Sequence, residues 1–553
     1  MSQKFLVEYF YQHEKEKANQ PFLHQPFGDT WETYTWAEVG EKARRLATWL
    51  KKQCPKEKAH ISIVSKNCRE WFIADIATMM AGFVSVPFYP NLKGEQLNEI
   101  IKLGDVDLLL IGKVDGWEDM KTGIPEDMKV GKFPHYEDFP KIDIGTDWDT
   151  IMKEAPIQEN YVPKAEDIWS IIFTSGTTGT PKGAYFTEDK LRHALNHPSS
   201  AYWFMLDEKK ENRFFSYLPL NHIAERTVEF LGIRFGVEIF FSENLSTFAQ
   251  NMKDAKPTLF LAVPRIWTKF KQGVLAKMPQ EKLDRLLRLP FINAIVKRKL
   301  KAALGLEKAR ICITGAAPMT SFDKAWWMKL GVPLSEAYGQ TESLGYGCYS
   351  PVGGFKSGTI GKAHQGFEVK IDADTNEILF KFPMIMNGYY KDEGKTAETI
   401  RNGWLHTSDA GAIDSEGYIS IIGRVKDTFK TEKGEFIIPT KVEHQYSPNA
   451  DIEQMCLLGL GMPQPVMIVV PSEGGAAKPK SELEKSLEAT RMQVNSGLEN
   501  YTRVNTVVIA REPFTTDNGL LTPTLKVKRF NVHAKYANNL RTYAEHKENV
   551  IWE

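Results

Sequence analysis

The chain has 553 residues, enough for several domains with large cores, and its 42% hydrophobic and 25% charged content excludes a disordered or fibrous class. Lysines plus arginines equal aspartates plus glutamates at 70 each, so overall charge lends no support to a nucleic-acid partner or to a broad claim on anionic membrane. The five cysteines, Cys54, Cys68, Cys312, Cys348 and Cys456, are scattered, odd in number and without a CxxC pair, which argues against a disulfide framework or zinc site and fits buried thiols in a reducing cytosol.

The N-terminal MSQKFLVEYFYQHEKEK carries charges where a signal peptide needs an apolar core, so a cytoplasmic protein is expected. The most apolar long run, 71–88, holds Asp75 and Pro87 and predicts a buried helix followed by a strand rather than a membrane span. Attachment to the periphery of a membrane stays open, with no motif for it. Short β-rich runs at 60–65, 84–89 and 106–112 alternate with helical periods, which predicts α/β layers with largely parallel strands. The rhythm returns at 258–263, 309–314 and 331–334. From Gly358 the texture changes to turn-rich antiparallel signals: GTIGKA, FEVKID and NEILFK. A smaller α+β unit begins near Arg424, and within it 472–486 reads as a solvated loop leading into a helix. The expected fold is α/β: a large N-terminal domain, 1–423, of layered α/β subdomains plus a β-rich subdomain, followed by a small C-terminal α+β domain, 424–553.

One stretch suggests an anion site. In SIIFTSGTTGTPKGAYFT, 170–187, an apolar run ends in seven residues of Thr, Ser and Gly, then Pro-Lys-Gly. Glycine-rich backbone can point N–H groups at a phosphate without side-chain obstruction. Ser175, Thr177, Thr178 and Thr180 add hydroxyls, and Lys182 adds charge. The stretch does not match G-x-x-x-x-G-K-[ST], because Pro181 and Gly183 stand at two of its defining positions. Residues 184–186 read as a strand, and a helix begins after Thr187 with Glu188 and Asp189 in its first turn, so the loop joins two strands. A flexible hairpin linker is the alternative.

Three more stretches are compatible with one ligand site. Gly315-Ala316-Ala317-Pro318 follows a predicted strand and lets a flat ligand approach the backbone, or forms a tight strand-to-helix turn. In Glu336-Ala337-Tyr338-Gly339-Gln340-Thr341-Glu342-Ser343, Tyr338 suits one face of a purine and Thr341 a phosphate contact. Glu342 suits Mg²⁺, or is a surface carboxylate. Asp409, after Trp404-Leu405, suits two ribose hydroxyls, and Arg424 adds donors to the same sugar; a turn aspartate and a surface arginine are the alternatives.

Together these stretches resemble the adenylate-forming superfamily of acyl-CoA synthetases, peptide-synthetase adenylation domains and luciferases, over nearly the whole chain. Within it the chain is most similar to long-chain fatty-acid CoA ligases. The resemblance is carried by SKNCREWFIAD at 65–75, YLPLNHIAER at 217–226, VPRIWTKF at 263–270, GRVKDTFKTEKGEFIIPTKVE at 423–443 and NGLLTPTLKVKR at 518–529. It implies that a fatty acid attacks the α-phosphorus of ATP, with Mg²⁺, giving an acyl-adenylate and pyrophosphate, and that CoA then displaces AMP. Thr174, Ser175, Gly176, Thr177, Thr178, Gly179 and Lys182 resemble the phosphate loop. Gly315, Ala316 and Ala317 resemble the adenine wall, continued by Glu336, Ala337, Tyr338 and Gly339, with Tyr338 stacking. Thr341 resembles the α-phosphate contact, Glu342 the magnesium ligand, and Asp409 and Arg424 the ribose contacts.

His222 stands where the family lines the acyl site, or is a packed core histidine. Gly339 stands where short-chain relatives carry a bulky aromatic that closes the pocket, so it implies room for a long chain. Lys526 resembles the catalytic lysine of a mobile small domain, and Lys426 its hinge. Lys528 would share Lys526's face on a strand, so the motif alone selects between them. Two positions depart from the family: Ser408 and Asn376 stand where it usually has glycine. Loading of a carrier protein instead of CoA, and a non-catalytic nucleotide-binding relative, are the rival readings.

Overall fold

The computed structural model describes residues 3–174, 181–207, 209–317, 319–425, 427–522 and 526–553. The apolar run read as helix then strand forms the helix Arg69–Ala81, buried on every side, and the strand Val84–Ser85. Gly82 ends the helix at φ +75°, a left-handed conformation that costs a residue without Cβ nothing. Because this helix has no polar face, it must be covered on all sides. It packs in the largest apolar core, with Trp71, Phe72 and Ile76 fully buried.

Among the described residues, two large sheets carry the N-terminal part. In one, His60–Val64, Val84–Ser85, Leu108–Ile111, Lys129–Lys132, Thr146–Asp147 and Ile168–Thr174 run parallel, and Lys182–Thr187 with Gly388–Tyr389 close one edge antiparallel. In the other, Arg213–Ser216, Glu238–Phe241, Leu259–Ala262, Ile311–Thr314 and Leu334–Gly339 form the parallel centre. The strand expected at 331–334 starts only at Leu334, since Gly331 turns at φ +76° and Pro333 has no N–H for a ladder. The turn-rich region is an antiparallel sheet containing Glu368–Ile371, Glu377–Lys381, Trp404–Ile413 and Ile419–Arg424.

A separate mixed sheet is built from Ile452–Leu458, Val466–Pro471, Thr506–Ile509 and Val550–Trp552. Its central strand shows the period-2 logic of a doubly covered sheet. Val466, Ile468 and Val470 pack with Val532 and Tyr536 of the helix Arg529–Tyr536. Met467 and Val469 face the other way, toward Leu483 and Leu487 of the helix Lys480–Ser496. No helix among the described residues is long and apolar enough to cross a membrane.

Candidate active site

The hydroxyl-rich stretch joins two strands, as its sequence predicts: Ile168–Thr174 pairs antiparallel with Lys182–Thr187, Thr174 opposite Lys182, and the helix Glu188–Asn196 follows. Ser175, Gly176, Thr177, Thr178 and Gly179 lie outside the described residues, as does Lys426. The Thr174 hydroxyl donates to the Lys182 carbonyl at 3.4 Å. The Lys182 ammonium lies 5.9 Å from the ring centroid of Tyr389, whose hydroxyl donates to Glu342 Oε1 at 2.6 Å. Tyr389 thus links the flank of the loop to the carboxylate expected to hold magnesium. Sequence reasoning missed Tyr389; its signal is the aromatic pair Tyr389-Tyr390 after the Asn387-Gly388 pair that ends an apolar run.

The proposed adenine wall comes from two neighbouring parallel strands. Gly315 follows the strand Ile311–Thr314, and a Cβ there would lie 2.9 Å from the Ala337 carbonyl oxygen, so glycine lets the two segments touch. Ala316 has φ +63°, and Ala317 is exposed. On the strand Leu334–Gly339 the Glu336 carboxylate is committed to Lys324 in the core, Nζ to Oε2 2.5 Å, and burial raises its pKa while Lys324 opposes the rise. Gly339 is fixed by crowding rather than by φ: a Cβ would sit 2.1 Å from the Gly345 carbonyl oxygen. Thr341 is buried at the start of the short turn Thr341–Ser343, directly before Glu342.

Asp409 is the hub of the polar network. Strand register sets it opposite Arg424, whose Nε lies 3.5 Å from Oδ1. Its Oδ2 accepts from the Tyr338 hydroxyl at 2.5 Å and from Gln340 Nε2 at 2.9 Å. Gln340 also donates to the Thr407 carbonyl at 2.8 Å. Burial and then Asp409 raise the Tyr338 phenol well above its usual range, which keeps it a donor. Gln340 was not singled out from the sequence, although it stands inside the motif. The two departures from the family's glycines meet here. Ser408 has φ +61° and Asn376 φ +56°, both in the left-handed region that glycine occupies freely. Glu377 holds the turn by accepting from the Ser408 N–H at 2.6 Å and pairing with His406 Nδ1 at 2.9 Å.

His222 is the N-cap of the buried helix Ile223–Phe235, its Nδ1 accepting from the Ala224 N–H at 3.2 Å. Burial, and secondarily Lys526, push its pKa down to about 4, so the ring is neutral at pH 7 with the proton on Nε2. The helix is anchored by Arg226, 0% exposed, which pairs with Asp75 Oδ2 at 2.8 Å and with Glu229. The guanidinium lies over the rings of Trp71 and Trp169, at 5.2 and 4.6 Å from their centroids. Trp169 belongs to the strand that enters the hydroxyl-rich loop, so one buried cation braces both the His222 helix and that strand. Burial pushes the Glu229 carboxyl well above the usual carboxylate range, against the pull of the Arg226 guanidinium.

The structure separates the two lysines that spacing alone did not. Lys528 precedes the helix Arg529–Tyr536 as its N-cap residue. Lys526 sits on a turn, its N–H donating to Thr522 Oγ1 at 3.0 Å and its carbonyl accepting from the Thr522 N–H at 2.8 Å. Its surface stays open to the cleft, yet the surrounding walls and then Arg424 lower its pKa, against the pull of Asp409 and Glu342. Lys526 therefore lies within electrostatic reach of Arg424, Asp409, Glu342 and His222. Behind it, Arg529 makes a bidentate pair with Glu443 at 2.8 and 2.9 Å.

No cluster of three or more metal-ligating side chains occurs among the described residues. Glu342 alone, with Tyr389 orienting one oxygen, fits Mg²⁺, a hard cation that completes its shell with phosphate oxygens and water.

Residues 10–390 match the model of the AMP-binding enzyme family, and 426–547 match that of the AMP-binding enzyme C-terminal domain. The chain is 30% identical over 601 residues to Long-chain-fatty-acid--CoA ligase 5 of Rattus norvegicus, covering 96% of this chain and 85% of that protein. It is 26% identical over 581 residues to Long-chain-fatty-acid--CoA ligase FadD15 of Mycobacterium bovis, covering 96% and 95%. In fold it is similar to the adenylation domain of a carboxylate reductase from Mycobacterium chelonae, with a TM-score of 0.79 at 20% identity, covering 97% of this chain and 91% of that one.

Proposed function

The chain belongs to the AMP-binding enzyme family, and on that premise we propose that it activates a long-chain fatty acid with ATP and transfers the acyl group to CoA. The observation that carries this reading is the polar network in which Asp409 binds Tyr338, Gln340 and Arg424 while Tyr389 holds Glu342, with Lys526 of the C-terminal region within electrostatic reach of Asp409, Glu342, Arg424 and His222. Asp409 and Arg424 hold the ribose, and Tyr338 stacks on the adenine over the wall of Gly315, Ala316 and Ala337. Thr341 contacts the α-phosphate. Mg²⁺ held at Glu342 neutralises phosphate charge.

Lys526 brings a cation to the α-phosphate and the attacking carboxylate, where two anions must approach each other. The hydroxyl-rich loop ending at Lys182 receives the departing pyrophosphate. The acyl chain enters beside His222; a neutral histidine fits that role, because a charge beside an alkyl chain is costly. The domains divide at 423/424, and rotation at Lys426 withdraws Lys526 so that a thiol can reach the adenylate. The long-chain assignment draws on relatives whose names specify long-chain acids.

The test is a series of saturated fatty acids with ATP, Mg²⁺ and CoA, scored by AMP release and thioester mass. Thioester formation that rises with chain length supports the reading. Adenylate that reacts with a carrier-protein thiol and not with CoA, or activity confined to short acids, overturns the corresponding part.

A further inference from the structure

The chain is neutral overall, but its charge is unevenly placed. Residues 280–303 hold seven lysines and arginines against two acidic residues, and one of those two, Asp284, is paired with Lys329. The segment forms two helices, Gln280–Arg288 and Ile292–Ala303, joined by a sharp corner. The first buries Leu283 and Leu287; the second buries no residue fully. Its Val296 and Leu300 rest on the apolar cluster that also contains Tyr217, five residues before His222. The opposite side is open.

The apex of the corner is apolar. Phe291 is 88% exposed and Ile295 54%, with Leu289 and Ile292 also exposed beside them. Phe291 adopts φ +64°, ψ −44°, and the Ile292 N–H donates to the Pro290 carbonyl at 2.7 Å, a γ-turn that is strained for any L-residue. The corner is pinned from below by Asn293 Nδ2, donating to the Leu287 carbonyl at 2.9 Å. Around the apex stand the exposed Arg285, Arg288, Arg298 and Lys299, none of which pairs with an acidic side chain among the described residues.

We propose that this corner docks on the anionic face of a lipid bilayer, with Leu289, Phe291, Ile292 and Ile295 entering the headgroup region and the surrounding cations meeting lipid phosphates. An aromatic and aliphatic tip ringed by Lys and Arg is the composition of an interfacial element. A second copy of this chain is a poor partner, because a two-fold contact would face the same cations against each other. Lysine is also depleted at protein interfaces. The inference does not depend on which acid the cleft activates.

The test is cosedimentation of the full chain with vesicles of phosphatidylcholine, alone or with phosphatidylserine. Binding is expected to the mixed vesicles, weakly to the neutral ones, and to fall as salt screens the charges. Each cation near such a surface contributes roughly a fivefold factor, so Arg298→Gln/Lys299→Gln lowers partitioning about 25-fold. Phe291→Ser/Ile295→Ser lowers it at least ~10-fold, from lost apolar insertion. Both pairs are surface changes and leave the thermal unfolding transition in place.

Three results overturn the proposal. One is equal binding to both vesicle types or to neither. Another is full binding by the Phe291→Ser/Ile295→Ser variant, which reduces the attraction to that of any polyanion. The third is a wild-type dimer that these substitutions dissociate while vesicle binding persists.

Discussion

Arg529, three residues after Lys526, ties the start of its helix to Glu443 and the Leu457 carbonyl, which makes it a sharp test of how the site is assembled. Its guanidinium donates to Glu443 Oε1 and Oε2 at 2.8 and 2.9 Å and to the Leu457 carbonyl at 2.8 Å, and Asp427 lies 3.7 Å from its Nε. Glu443 Oε1 also accepts from the Leu457 N–H at 2.7 Å. Arg529→Met removes the cation and leaves Glu443 without its charge partner. Breaking a buried pair costs about 3–5 kcal/mol, and the partial exposure of this one places the loss near ~3 kcal/mol. Adding Glu443→Leu removes the stranded charge but also the acceptor of the Leu457 N–H, so roughly half of the loss returns. The assay is denaturant unfolding of wild type, both single variants and the double variant of the whole chain. AMP affinity and adenylation rate are measured in parallel. Because Lys526 lies only three residues before Arg529, adenylation is expected to fall further than AMP affinity, which on the proposed reading rests on Asp409 and Tyr338. A double variant no more stable than Arg529→Met, or an adenylation loss matched by the loss of AMP affinity, refutes the reasoning.

Ser408→Gly relieves a left-handed residue beside Asp409 and is expected to stabilise the protein by about 0.5–1 kcal/mol, after the entropy glycine adds to the unfolded chain; a lower melting temperature counts against strain at this turn. Lys526→Ala lowers adenylation by ~10² or more while thioester formation from synthetic acyl-adenylate persists, and equal loss in both half-reactions assigns the lysine a structural role. Since Arg424 depresses the Lys526 pKa, Arg424→Gln shifts the alkaline limb of the adenylation pH profile upward, and an unmoved limb removes Lys526 as the titrating group. Glu225, buried at the start of the His222 helix, has its carboxyl pushed up to about 8 by burial, so the fold favours the protonated form. Its stabilisation is complete below about pH 4.5 and is lost as pH rises through 8, a change on the order of 5 kcal/mol. Glu225→Gln should flatten that slope, and unfolding curves at pH 6 and pH 9 that drop equally in variant and wild type would falsify it.

What the sequence determined by itself was the set of parts. Alternation of apolar runs marked the parallel sheets, because a strand buried on both faces has to be apolar throughout. The position of Pro181 and Gly183 marked the loop after Thr174 as a strand-to-strand connection, since it removes the helix start that the familiar phosphate loop requires. The residue types at Asp409, Glu342 and Lys526 were readable as chemistry because each sits in a short motif.

Which parts meet was decided by tertiary structure alone. Tyr338 and Asp409 are 71 positions apart, and no local pattern encodes their 2.5 Å contact. Lys526 and Lys528 are equivalent in spacing, and only the turn at Thr522 separates them. Gly339 reads as space for a ligand, but it is the approach of Gly345 from the following turn that excludes a Cβ. Ser408 and Asn376 read as minor polar changes, yet the backbone conformation imposed by Glu377 and the pairing of two strands makes both positions ones that glycine would fill without strain. In each case the deciding contact joins segments that propensity treats independently, so the information resides in packing rather than in either segment.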